Sequence, residues 1–118
     1  MRIFESGATR DDDTDKLDFE GFLSPYALEA FAEYMHKHRI IDGNLRDSDN
    51  WQRGLPDTTL MKSAWRHLFL WWKLHREHTA GATVPHTEIN DALCGLIFNA
   101  FTYLHQINKP LVWTEEES

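Results

Sequence analysis

The sequence predicts a small all-α bundle of three main helices. Three observations carry this expectation. Apolar residues recur at i, i+3, i+4, i+7 spacing in three separate stretches. Each stretch opens on residues suited to a helix start and is followed by a Gly or Pro break. The length of 118 residues and the 42% apolar content suffice for one core and not for two.

Residues 1–23 read as an irregular acidic segment that packs on the domain, with Asp11, Asp12, Asp13, Asp15 and Asp18 around a single Lys16. Ser24-Pro25 then starts a helix over 25–40, because Ser caps free N–H groups and Pro tolerates the first helical position. Its buried face is Leu28, Phe31, Ala32 and Met35, and Asp42-Gly43-Asn44 ends it. Residues 42–56 form a polar loop with Trp51 inside it and Gly54-Leu55-Pro56 at its close. Asp57 or Thr58 caps a second helix over 57–79, with Leu60, Ala64, Leu68, Trp71, Trp72 and Leu74 on its apolar side. Residues 80–86 are a turn, Thr87 caps a third helix over 88–108, and Lys109-Pro110 stops it. The main domain is therefore 24–108, and 109–118 is an acidic tail. Three helices this apolar leave uncovered surface, which predicts a homodimer or homotetramer.

Charge and cysteine content narrow the classes. A formal net charge of −7 argues against a sequence-independent grip on nucleic acid, which needs an excess of Lys and Arg on some face. Cys94 is the only cysteine, so no internal disulfide forms, and its apolar surroundings make it a core residue. No apolar run suits a signal peptide or reaches the ~20 residues of a membrane span, which fits a cytoplasmic protein.

The third helix carries the strongest chemical signal. Apolar residues cover most of its circumference, and Glu88, Asp91, Gly95, Asn99 and Thr102 remain, at spacings of 3, 4, 4 and 3. They form one narrow stripe. Such a stripe faces either water or an internal site. In the second reading, Glu88 and Asp91 put two carboxylates on one hard cation, and Gly95 admits a close approach to the backbone. On the second helix, Lys62, Arg66 and Lys73 are either phosphate contacts or a solvated face, and His67 borders the apolar side. Glu29 and Glu33 stand one turn apart on the first helix and either share a metal or face solvent. Trp51 either stacks on a purine, with Asn50 at the base edge, or anchors its loop to the core.

Five strings in order carry a family resemblance over residues 4–108. They are Gly7-Ala8-Thr9-Arg10-Asp11 with Lys16, Leu23-Ser24-Pro25 with Leu28, and Asp49-Asn50-Trp51-Gln52-Arg53-Gly54-Leu55-Pro56. Ser63-Ala64-Trp65-Arg66-His67-Leu68 follows, and then Asp91-Ala92-Leu93 through Phe98-Asn99-Ala100 to Leu104-His105. Together they resemble the N-terminal domain of dATP/dGTP diphosphohydrolases, found mainly in phages and related in concept to the MazG-like all-α pyrophosphohydrolases.

The resemblance implies hydrolysis of a purine deoxynucleoside triphosphate, dGTP or dATP, to monophosphate and pyrophosphate. A phage-encoded chain would act in the host cytoplasm. The resemblance also implies that Glu88, Asp91 and Glu33 hold Mg²⁺ or Mn²⁺. Lys62 and Arg66 would hold phosphate oxygens, with Arg10 or Lys16 closing over them. Trp51, Asn50 and Asn99 would contact the base, with His67 nearby. Glu88-Ile89-Asn90-Asp91 matches the family's ExxD motif, whereas Arg66-His67-Leu68-Phe69-Leu70 has no acid where the paired EExxE motif would stand. That departure supports an alternative, a nucleotide-binding or nucleotide-sequestering protein that does no hydrolysis.

Overall fold

A computed structural model describes residues 2–3, 5–7, 9–10 and 14–110 of the chain. Three long helices form where the apolar spacing places them: α2 over Pro25–Lys37, α3 over Asp57–Thr79 and α4 over His86–Asn108. Ser24 caps α2 as expected, its Oγ accepting the Ala27 N–H at 3.1 Å. The other two caps differ from expectation. Pro56 and Pro85 occupy the positions before α3 and α4, and no side chain caps either helix. Asp57, Thr58 and Thr87 lie inside the helices instead.

The segments read as irregular are partly ordered. Strand β1 (Arg2–Ile3) pairs antiparallel with β2 (Thr9–Arg10). A single helical turn, α1 (Phe19–Phe22), is capped by Asp18, whose Oδ1 accepts the Gly21 N–H at 2.9 Å. The first long helix stops at Lys37 rather than at residue 40, because Ile40 and Ile41 are drawn into a ribbon. Strand β3 (Ile40–Ile41) pairs with β4 (Asn44–Leu45). Asp42 (φ 51°) and Gly43 (φ 78°) make the two-residue turn between them, the left-handed pair that a tight hairpin requires. A 3₁₀ turn over Asn50–Arg53 follows.

Helix α4 is the centre of the fold. Ser63 meets Asn99 and His67 meets Gly95, so α3 and α4 run antiparallel. On its other side α4 touches α2 through Phe31 and Phe101, with ring centroids 5.9 Å apart, and through Cys94, whose Sγ lies 3.8 Å from the Ala30 carbonyl. Cys94 is buried, and that burial pushes its thiol pKa up, as befits a packing residue.

Burial divides the α4 stripe, with Glu88 exposed at its start. Gly95, Asn99 and Thr102, the middle and end of the polar stripe, are buried, Gly95 and Asn99 against α3. Phe101, Leu104 and Ile107 are exposed. Among the described residues the buried apolar side chains are Leu60, Leu74, Ala92 and Cys94. Leu68, Trp71 and Trp72, expected on the buried side of α3, are exposed. Among the described residues no helix is long and apolar enough to cross a membrane.

Candidate functional site

A cleft of about 640 Å³ opens where the end of α2, the β3–β4 ribbon and the 3₁₀ turn meet the α3–α4 seam. Its floor is made by Ser63 and His67 from α3 and by Asn99 from α4. These three meet because Gly95 has no side chain. A Cβ on Gly95 would overlap the His67 ring. Asn99, 4% exposed, donates from Nδ2 to the Gly95 carbonyl at 2.7 Å and to Ser63 Oγ at 3.1 Å.

Burial holds the His67 pKa below the ordinary histidine value of 6.5, and the positive charges of Arg66 and His38 add to the effect. The ring is therefore neutral at physiological pH and offers one donor and one acceptor. The unfolded chain takes up this proton at a higher pH than the folded one. The stability tied to neutral His67 is thus full above 6.5 and lost as pH falls through that value. Denaturation midpoints are expected to fall between roughly pH 7 and pH 5, and His67→Gln is expected to flatten part of that slope.

One wall is Trp51 with Gly54 and Leu55. The Trp51 ring packs edge-on against His105, centroids 4.9 Å apart, and tilted against Phe101 at 5.9 Å. Gly54 has φ 110°, open to glycine and strained for other residues. Gln106 on α4 grips the next residue twice. Its Oε1 accepts the Leu55 N–H at 2.7 Å and its Nε2 donates to the Leu55 carbonyl at 2.9 Å.

The rim is cationic. Arg39, Arg46 and Arg53 line it with His36 and His38, and among the described residues Asp47 is the one acid in the lining. Arg39 Nε donates to the Arg46 carbonyl at 2.8 Å, and Arg46 Nη2 donates to the His38 carbonyl at 2.6 Å. These bonds tie the β3–β4 ribbon to the end of α2. Among the described residues no carboxylate pairs with any of the three guanidinium groups.

The residues expected from sequence divide sharply. Asn50, Trp51, His67 and Asn99 all line the cleft. Lys62 and Arg66 are exposed on α3 and lie outside its lining, as does Lys16. The backbone of Arg10 is in β2, and its side chain lies outside the described residues. Glu33 and Glu88 are exposed, and Asp91 forms an ion pair with Lys37 at 2.6 Å. Among the described residues no three Asp, Glu, His or Cys side chains gather closely enough for a metal. Glu88, Asp91 and Glu33 form no such group of three within one chain. The sequence reading missed Ser63, Gln106 and the three arginines. Arg46 and Arg53 sit among polar residues of the 42–56 loop, where only folding against α2 reveals a shared face.

No family model, no curated protein and no solved structure matches this chain. The cleft combines a cationic rim, an aromatic wall and a neutral polar floor, which suits an anion that carries a flat heterocycle.

Proposed function

We propose that the cleft binds a purine deoxynucleoside triphosphate. The observation that carries this reading is the rim: three guanidinium groups that have no carboxylate partner among the described residues, gathered by a chain whose net charge is −7. Guanidinium forks match phosphate oxygens in pairs and stay charged at any physiological pH. Trp51 supplies the face on which a base stacks, and Asn50, Asn99 and His67 supply polar contacts to its edge. The family resemblance supports the purine triphosphate as the occupant and hydrolysis to monophosphate and pyrophosphate as its fate. The Lys37–Asp91 ion pair and the separation of Glu33 and Glu88 from the cleft favour binding without turnover.

Incubating the protein with each dNTP and Mg²⁺ or Mn²⁺, with products resolved by chromatography, separates the two fates. Monophosphate and pyrophosphate mean an enzyme, and saturable binding without product means sequestration. No binding to any dNTP at low ionic strength overturns the proposal, because screening is weakest there.

We also propose that the working unit is a homodimer or homotetramer. Met61, Trp65, Phe69 and Trp72 follow one another along a face of α3 and are all exposed, Trp65 to 65%. The few buried apolar side chains leave two 23-residue helices with little core between them. Sedimentation is expected to give a mass of at least twice 13.9 kDa at micromolar concentration. A mass near 13.9 kDa overturns this.

A further inference from the structure

The floor of the cleft has a polarity of its own, set by which atoms of Asn99 are already engaged. The Gly95 carbonyl only accepts hydrogen bonds, so the Asn99 atom 2.7 Å from it is the amide nitrogen. The second hydrogen of that nitrogen goes to Ser63 Oγ at 3.1 Å. Both amide hydrogens are thereby engaged inside the protein. The remaining polar atom, Oδ1, makes no hydrogen bond among the described residues. Asn99 lines the cleft, and Oδ1 is not one of the fully buried polar atoms left without a partner, so it keeps some accessible surface and the cleft is where a ligand can reach it. Asn99 therefore offers an acceptor and no donor.

We infer that Asn99 Oδ1 reads a hydrogen-bond donor on the edge of the ligand's base: an exocyclic amine or a ring N–H of an aminopurine. This rests on the nucleotide reading of the cleft and deepens it to the group that is recognised. Neutral His67 and the Ser63 hydroxyl stand beside Asn99 and tolerate either sense of hydrogen bond, so Asn99 makes the choice. Gly95 holds the arrangement in place, since the His67 ring occupies the space a Cβ would fill. A site built to pair with a donor rejects the analogue that lacks it, because a buried acceptor is then left bare.

The test compares purines that differ at the donor. Calorimetry would measure the α,β-methylene triphosphates of deoxyadenosine, deoxyguanosine and deoxypurine riboside, whose base has no donor on its ring edge. Each is measured on the wild type and on Asn99→Ala. In the wild type, the better of the two aminopurines is expected to bind at least tenfold more tightly than the donor-free purine. In Asn99→Ala that preference is expected to collapse to within about twofold, while all three bind through rim and wall. The ratio between ligands on one protein does not depend on how stable the variant is. Should Asn99→Ala fail to fold, the wild-type ratio alone decides. Equal affinity for all three in the wild type overturns the inference and leaves the nucleotide reading standing. A preference that survives undiminished in Asn99→Ala also overturns it. Absence of binding by any of the three overturns the nucleotide reading itself.

Discussion

Gly95→Ala is expected to destabilise the protein and empty the floor of its cleft. The sign of the first effect is the informative part. In a plain helix, replacing Gly by Ala gains roughly 1 kcal/mol, because Ala loses less backbone freedom on folding. Here the new methyl group would overlap the ring of His67. Forcing extra volume into a packed seam costs about 1–3 kcal/mol. The overlap outweighs the propensity, and a net loss of about 1 kcal/mol is expected in chemical denaturation. Whatever way the ring swings to escape, it leaves the position beside Asn99. Triphosphate affinity is expected to fall at least tenfold, about 1.4 kcal/mol. The double variant Gly95→Ala with His67→Ala should recover the stability and not the affinity. A single variant as stable as wild type, with unchanged binding, would mean that the seam is looser than the contact implies.

Trp51→Ala should have the other large effect. The sequence leaves two roles open for Trp51, loop anchor and stacking surface, and its position allows both. The ring packs on His105 and Phe101, and it lines the cleft. It is half-buried, so truncation is expected to cost about 2 kcal/mol, below the 3–5 kcal/mol of a fully buried Trp. Trp51→Phe keeps a ring against α4 and is expected to lose under ~1 kcal/mol. Calorimetric titration then separates the roles. If Trp51 is a stacking surface as well as an anchor, Trp51→Phe loses several-fold in nucleotide affinity with little change in denaturation midpoint. If it is an anchor alone, affinity tracks stability in both variants.

The three long helices are legible in the sequence because helical period and breakers are local signals, and Ser24-Pro25 and Lys109-Pro110 mark ends that the backbone respects. The β3–β4 ribbon was legible in principle. Asp42-Gly43 is a strong tight-turn pair, but between two isoleucines and the short Asn44–Leu45 strand it reads equally as a helix stop. The cleft was half legible. Asn50, Trp51, His67 and Asn99 stand out as polar or aromatic residues in unusual company. Arg39, Arg46 and Arg53 do not, since arginine in a polar loop is ordinary and their convergence depends on how the ribbon folds back on α2. The α4 stripe shows the limit most clearly. A count of apolar residues around the helix puts Phe101 and Leu104 inside and Asn99 and Thr102 apart. In the folded chain small and polar residues take the α3 seam, because Gly95 lets the helices approach and the Asn99–Ser63 bond satisfies what that approach buries. Periodicity reports how many faces are apolar, and close packing decides which of them is used.

Two antiparallel helices joined by a short turn ordinarily loosen first at the end away from the turn. In this chain Gln106 joins that far end. It sits near the close of α4 and holds Leu55, just before α3 begins and 51 residues earlier in the chain, by both backbone groups; it also donates to Asp57 at 3.3 Å. A helix exit and a helix approach thus unzip together or not at all. The Leu55 amide lies outside any helix or strand, yet it should exchange its hydrogen with solvent as slowly as the last turn of α4.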